Sequence, residues 1–150
     1  MQKILIRWDK DIIGWFKTVS IPLARIAIFI VFFWFGILKV FDLSPANPLV
    51  SNLLDQTLPF ISFENFIILF GVYEMVIGYA FLFEGGERLA IALLIPHMLM
   101  TALPLALLPA VTWCGWFIPT LEGQYIIKNL VIVALAFGIA AHLHPMKKNS

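Results

Sequence analysis

Cysteine occurs once in the 150 residues, at Cys114. An internal disulfide, a CxxC relay and a Cys-based zinc or iron–sulfur site within the chain are thereby excluded. Charge is scarce: 13% of residues are Asp, Glu, Lys or Arg, against roughly 25% in an ordinary soluble domain. Ten basic and nine acidic residues give a net charge of +1 with no long basic run, so nucleic acid is not an expected partner. Period-2 alternation is missing, which speaks against a transmembrane barrel. Internal repeats, low-complexity segments, a flavin fingerprint, a Ser–His–Asp set and an intramembrane metal triad are missing too.

Apolar residues are what the chain has. They make up 61% of it, against roughly 45–50% in soluble proteins, and mean hydropathy is +0.95. Too few polar residues remain to cover a water-exposed surface. The length fits one domain, and the composition makes it an integral membrane domain. Four stretches reach the roughly 20 residues needed to cross a bilayer as helix: residues 20–41, 63–83, 88–109 and 121–143. The expected fold is an all-α membrane protein, an antiparallel bundle of four transmembrane helices spanning residues 20–143.

Orientation follows from Lys and Arg outside the spans. Lys3, Arg7, Lys10 and Lys17 precede the first span, Arg88 lies in the second connection, and Lys147 and Lys148 lie in the tail of residues 144–150. The connections 42–62 and 110–120 carry neither residue type. Both termini are expected to be cytoplasmic, in a multi-pass protein of a bacterial plasma (inner) membrane. The first span is too long for a cleavable signal peptide and no A-x-A site follows it. In residues 1–19, Leu5, Trp8, Ile12, Trp15 and Phe16 recur at helical spacing among basic residues, which predicts an interfacial amphipathic helix. The first outer connection is apolar and holds Pro45, Pro48 and Pro59; a short helix over residues 48–54, with proline in its first turn, is expected across the outer mouth. Trp113, Trp116 and Phe117 in the second outer connection suggest an aromatic belt. The Gly85-Gly86 turn makes the second and third spans antiparallel neighbours.

Ionisable residues inside spans mark functional candidates, because burying them in hydrocarbon is costly. They are Arg25, Lys39, Glu74, His97 and Lys128, with Tyr73 beside Glu74 and Asn129 beside Lys128 completing the candidate set. Counting helical rise from the inner end of each span puts Arg25 at ~8 Å, Glu74 and His97 both at ~14 Å, Lys128 at ~23 Å and Lys39 at ~29 Å. Gly71, Glu74 and Gly78 share one helical face, as do Arg25, Phe32, Gly36 and Lys39. Gln124, Lys128, Val131, Leu135 and Gly138 share another, and each of these faces is expected to look inward.

Each candidate has two readings. Glu74 either locks the bundle by pairing with Lys128 or Arg25, or binds a ligand or handles a proton. His97 either repairs the carbonyl freed by Pro96, or carries a proton or bonds a ligand such as a quinone. Lys39 is expected to snorkel outward and to meet Asp42. Lys128 is deep enough for an obligatory pairing or functional role. Met98 and Met100 are packing residues, and one histidine within a span does not supply a bis-His haem. Cys114 is an inert outer thiol or the site of a mixed disulfide or persulfide with a partner.

Several of these elements resemble one family. Arg25-Ile26-Ala27 leading to Phe35-Gly36-Ile37-Leu38-Lys39 is similar to the first span of the DoxX-like superfamily. Gly71-Val72-Tyr73-Glu74-Met75-Val76-Ile77-Gly78 resembles that family's Glu-x-x-x-Gly motif. Gly123-Gln124-Tyr125 through Lys128-Asn129-Leu130 resembles the start of its last span. Lys128 and the loop ending Asn47-Pro48-Leu49-Val50 are most similar to its YkgB/RclC branch, with Asn129 where that branch tends to have an acid. The resemblance covers residues 20–143. It implies a four-helix membrane fold and an association with quinone-linked, redox-stress and thiol-handling proteins.

Three functions compete. In the first, the chain is a membrane component of a redox system. It binds a quinone-like or other small amphipathic ligand near the midplane, with no covalently bound cofactor, and a redox partner protein supplies the electron chemistry. Glu74 and His97 then handle protons while Arg25 or Lys128 stabilises anionic charge. In the second, it is a small proton-coupled carrier or exporter, which with four helices requires a homo-oligomer. In the third, it is a non-catalytic assembly subunit whose buried pairs serve packing. A membrane isomerase using Glu74 and His97 is a further, narrower reading.

Overall fold

The computed structural model describes residues 2–145. Seven helices and one small hairpin follow in the order α1 (Gln2–Val40), α2 (Asn47–Thr57), α3 (Phe63–Leu82), α4 (Glu87–Ala102), α5 (Pro104–Leu107), α6 (Pro109–Thr112), β1 (Trp113–Gly115), β2 (Ile118–Pro119) and α7 (Leu121–Ala140). Four helical stretches are long and apolar enough to cross a membrane: Leu5–Val40, Phe63–Leu82, Glu87–Leu107 and Leu121–Ala140. The protein is an all-α, multi-pass membrane protein. Around the bundle α1 packs on α3, α3 on α4, α4 on α7 and α7 back on α1, so every neighbouring pair of spans is antiparallel.

The α1–α3 seam is set by glycine. A Cβ on Gly36 would stand 2.5 Å from the Gly71 carbonyl oxygen, and one on Gly71 would stand 2.6 Å from the Gly36 carbonyl oxygen. Only glycine at both positions lets the two backbones touch, which is how small residues bring membrane helices together. The core lies on the inner side of this contact. Ala24, Ile28 and Phe32 of α1 meet Ile77 and Phe81 of α3, Ala90 and Leu94 of α4, and Ala136 and Ile139 of α7.

Residues 2–19 are helical, as the periodicity predicts, but no break parts them from the first span: α1 runs unbroken through Pro22. Asp42 ends α1. It takes a left-handed conformation at φ 56°, and the Leu43 amide closes back on the Leu38 carbonyl at 2.7 Å, the pattern of a Schellman C-cap. Its carboxylate accepts from the Asn47 side chain at 2.6 Å, not from Lys39 as expected. α2 carries Pro48 in its first turn and covers the outer side, where its Leu54 is buried.

The third span ends in fragments because Pro104 and Pro109 each restart a short helix. Residues 113–119, expected only as an aromatic belt, form an antiparallel hairpin. Its turn, Trp116-Phe117, is strongly exposed. The Thr120 amide bonds the Thr112 carbonyl at 3.0 Å, and the Thr120 hydroxyl, which donates to Val111, accepts from the Gly123 amide to cap α7. The tail beyond residue 145, with Lys147 and Lys148, lies outside the described residues.

Candidate functional site: a buried Lys–Glu–His triad

Glu74 projects from α3 directly below the glycine contact. Its Oε2 accepts from the Lys39 ammonium of α1 at 2.6 Å, and its Oε1 lies 3.0 Å from His97 Nε2 of α4. All three side chains are less than a tenth exposed, at 6%, 7% and 4% for Lys39, Glu74 and His97. A carboxylate bonded to an ammonium has only acceptor sites, so the histidine contact requires the proton on Nε2. That tautomer leaves Nδ1 as a bare lone pair, and Nδ1 is buried without a hydrogen-bond partner.

Aromatic rings wall the imidazole. Phe70 stacks on it at 5.1 Å between centroids, with 8° between planes. Phe32 meets it edge-on, also at 5.1 Å, and Tyr73 lies at 6.1 Å. The Lys39 ammonium sits 5.5 Å from the Phe70 centroid, so one ring touches both cationic members. These walls exclude water and strengthen each electrostatic contact inside them.

Glu74 and His97 meet at one level, as residue counting predicts. Lys39 does not follow its prediction. It is buried inside the bundle and pairs with Glu74, where counting put it ~15 Å higher by helical rise. Two physical effects account for this. Gly36 packs level with Gly71, so α1 sits deeper against α3 than a span starting at residue 20 implies. The long lysine side chain then reaches down a further turn.

His97 also does not repair the Pro96 defect. It bonds Glu74 instead, and the Tyr73 hydroxyl donates to the Leu93 carbonyl of α4 at 2.7 Å. Arg25 stays apart from the triad. Its guanidinium pairs with the Glu87 carboxylate of α4, which also accepts from the Gly85 amide at 2.7 Å.

Glu87 was missed in the sequence because it follows the Gly85-Gly86 turn and reads as an exposed connection. Its signal was available: Glu87, Ala90, Leu94 and His97 recur at three- and four-residue spacing, and all four are buried.

Lys128 joins no cluster. It is exposed on α7, its ammonium 5.1 Å from the Tyr125 ring centroid, and Asn129 beside it is half-buried. The expected inward face of α7 is thus turned: Gln124, Lys128, Val131 and Gly138 are exposed, while Gly123, Ala136 and Ile139 are buried. α7 is apolar nearly all round, so the helix carries no amphipathic signal to phase it.

Cys114 is exposed on the hairpin, its thiol donating to the Ile118 carbonyl. Among the described residues no three of His, Cys, Asp and Glu gather where a metal ion could be held. Two open apolar grooves stand out. One of about 460 Å³ lies under the hairpin, lined by Pro109, Trp113 and Phe117. One of about 440 Å³ lies on the outer flank of α3, lined by Phe33, Met75, Tyr79 and Leu89. Neither is lined by a member of the triad. No family model, no curated protein and no solved structure matches the chain.

Proposed function

We propose that this chain is the membrane component of a bacterial redox system, in which the triad accepts a proton from a hydroxyl-bearing amphipathic ligand of the quinol type. The observation that carries this reading is the bare, buried Nδ1 of His97, poised by Glu74 and Lys39. Lys39 balances the Glu74 charge, Glu74 holds the imidazole tautomer, and Nδ1 is left as an acceptor for an O–H proton. On protonation the new imidazolium lies against a carboxylate 3.0 Å away, which stabilises it. Flat rings on Phe70 and Phe32 suit a planar ligand head. A quinol supplies the electron chemistry, and the electrons leave to a partner protein. The inner membrane, the cytoplasmic termini, the homo-oligomer and membership of the DoxX-like superfamily belong to this same proposal. They rest on the Lys and Arg distribution and on the motifs around Gly36, Glu74 and Lys128.

The test is native mass spectrometry of gently solubilised protein beside His97→Phe, with monodispersity and thermal unfolding as the folding control. A stoichiometric quinone mass that disappears in folded His97→Phe is the expected result. An apo mass in the unsubstituted protein overturns the ligand reading.

One observation favours a second reading. Both buried ionic groups are closed on themselves, and neither open groove reaches them. An assembly subunit would use them as locks between helices. In that case His97→Phe shifts stability, and partner capture changes with it, while no ligand is lost.

A further inference from the structure

α1 is longer than the membrane it crosses. Its apolar part, Leu5–Val40, has 36 residues, about 54 Å of helix at 1.5 Å per residue, against a hydrocarbon core of roughly 30 Å. The bundle grips only its C-terminal part. Ile21 packs against the core and Ala24 is the first buried residue of α1 among those described. From Leu5 to Thr18 every side chain is exposed.

The exposed side chains are sorted around the helix. At the 100° step of an α-helix, Arg7, Lys10 and Lys17 fall in one arc with Gly14, and Lys3 belongs to that arc by its sequence position. Leu5, Trp8, Ile12, Trp15 and Phe16 fill the opposite arc and are each more than half exposed. Asp11 borders the basic arc, and Asp9 interrupts the apolar one.

We infer that this arm turns at Pro22 onto the adjoining membrane surface and binds anionic phospholipid headgroups through Arg7, Lys10 and Lys17. Pro22 lacks the N–H that would hold the Thr18 carbonyl, and its ring crowds that carbonyl. It follows Ile21, the first core contact, and precedes by three residues Arg25, which is clamped to Glu87 of α4. The weakest backbone position in α1 thus stands where the gripped part ends. A collinear arm leaves two tryptophans and a phenylalanine in water. An arm lying in the interface buries them among acyl chains and presents its bases to phosphate. Pairing of two copies is the poorer fit. A parallel coil through Leu5, Trp8, Ile12 and Trp15 places Asp9 and Asp11 at its flanks with no base to meet them.

The test uses full-length Cys114→Ser protein, spin-labelled at Ile12→Cys or Gly14→Cys, in nanodiscs of phosphatidylcholine alone or enriched in phosphatidylglycerol. Accessibility to oxygen reports lipid and accessibility to a water-soluble nickel chelate reports solvent. In anionic discs the label at 12 is expected to favour oxygen several-fold over the label at 14. That contrast is expected to collapse in neutral discs, in the Arg7→Gln/Lys10→Gln/Lys17→Gln variant and in Pro22→Ala. Equal nickel access at both sites in anionic discs overturns the docked arm. A label at 12 shielded from both reagents means a protein covers the face, and overturns it as well. A contrast that persists in neutral discs and in the triple variant overturns the recognition of anionic lipid.

Discussion

At the scale of single residues, the triad makes a sharp energetic prediction. Lys39→Met leaves the Glu74 carboxylate buried with only a neutral imidazole, and removing one partner of a buried pair costs about 3–5 kcal/mol. Lys39→Met combined with Glu74→Gln removes both charges and is expected to recover most of that loss. Unfolding in mixed micelles checks both; a double variant no more stable than the single one would refute the ion pair as the source. His97→Phe is expected to be milder, because Phe70 and Phe32 already provide ring partners. Much of this site was legible. Glu74 stood on a face of small residues, and depth counting brought it level with His97. Lys39 was not legible, because its depth depended on how far α1 slides against α3, a tertiary register set by two glycines. Lys128 misled for a related reason. A lysine within a span reads as buried, yet on α7 its exposed position fits a side chain that snorkels outward.

At the scale of elements, the α1–α3 seam governs the site. Gly71→Ala places a methyl against the Gly36 carbonyl and the Lys39 Cβ. The helices must part by a fraction of an ångström or more, and overpacking of this kind costs about 1–3 kcal/mol. Because Lys39 and Glu74 lie one on each helix, the same change should weaken their contact. Gly71→Ala with Lys39→Met is therefore expected to destabilise by less than the sum of the two single changes. Gly138→Ala is the control: open space surrounds that glycine, so its unfolding should stay within about 0.5 kcal/mol of the unsubstituted protein. A Gly71→Ala variant as stable as this control would show that the close backbone contact is not needed. Elements with strong local chemistry were readable in advance. Pro48 announced α2, and Gly85-Gly86 announced the turn between α3 and α4. The hairpin at residues 113–119 was not, because its turn is Trp116-Phe117 and not a glycine or asparagine pair. Phe117 adopts φ 54°, a conformation that few non-glycine residues take, so propensity gave no hint of it.

At the scale of the whole molecule, the four spans and their order were readable from hydropathy alone, and they fix a relation between distant parts of the chain. An even number of crossings puts the N-terminal arm and the end of α7 on one face. A third crossing that ends near residue 107 puts the hairpin on the other. Cys114 reports this directly, being the single thiol and exposed. A membrane-impermeant maleimide is expected to label it in right-side-out vesicles and not in sealed inverted ones. A protease site placed before residue 2 should be cut only in the inverted ones. Detergent-solubilised protein, in which both faces are open, sets full labelling, so failure to react in either vesicle reports sidedness and not burial. Labelling of Cys114 from the same side as the protease site would mean that Glu87–Leu107 enters and leaves by one face. It would separate His97 from the level of Glu74 and dissolve the triad. The topology measurement therefore tests the candidate site as well as the fold, because a Lys–Glu–His contact drawn from three different helices exists only if all three cross.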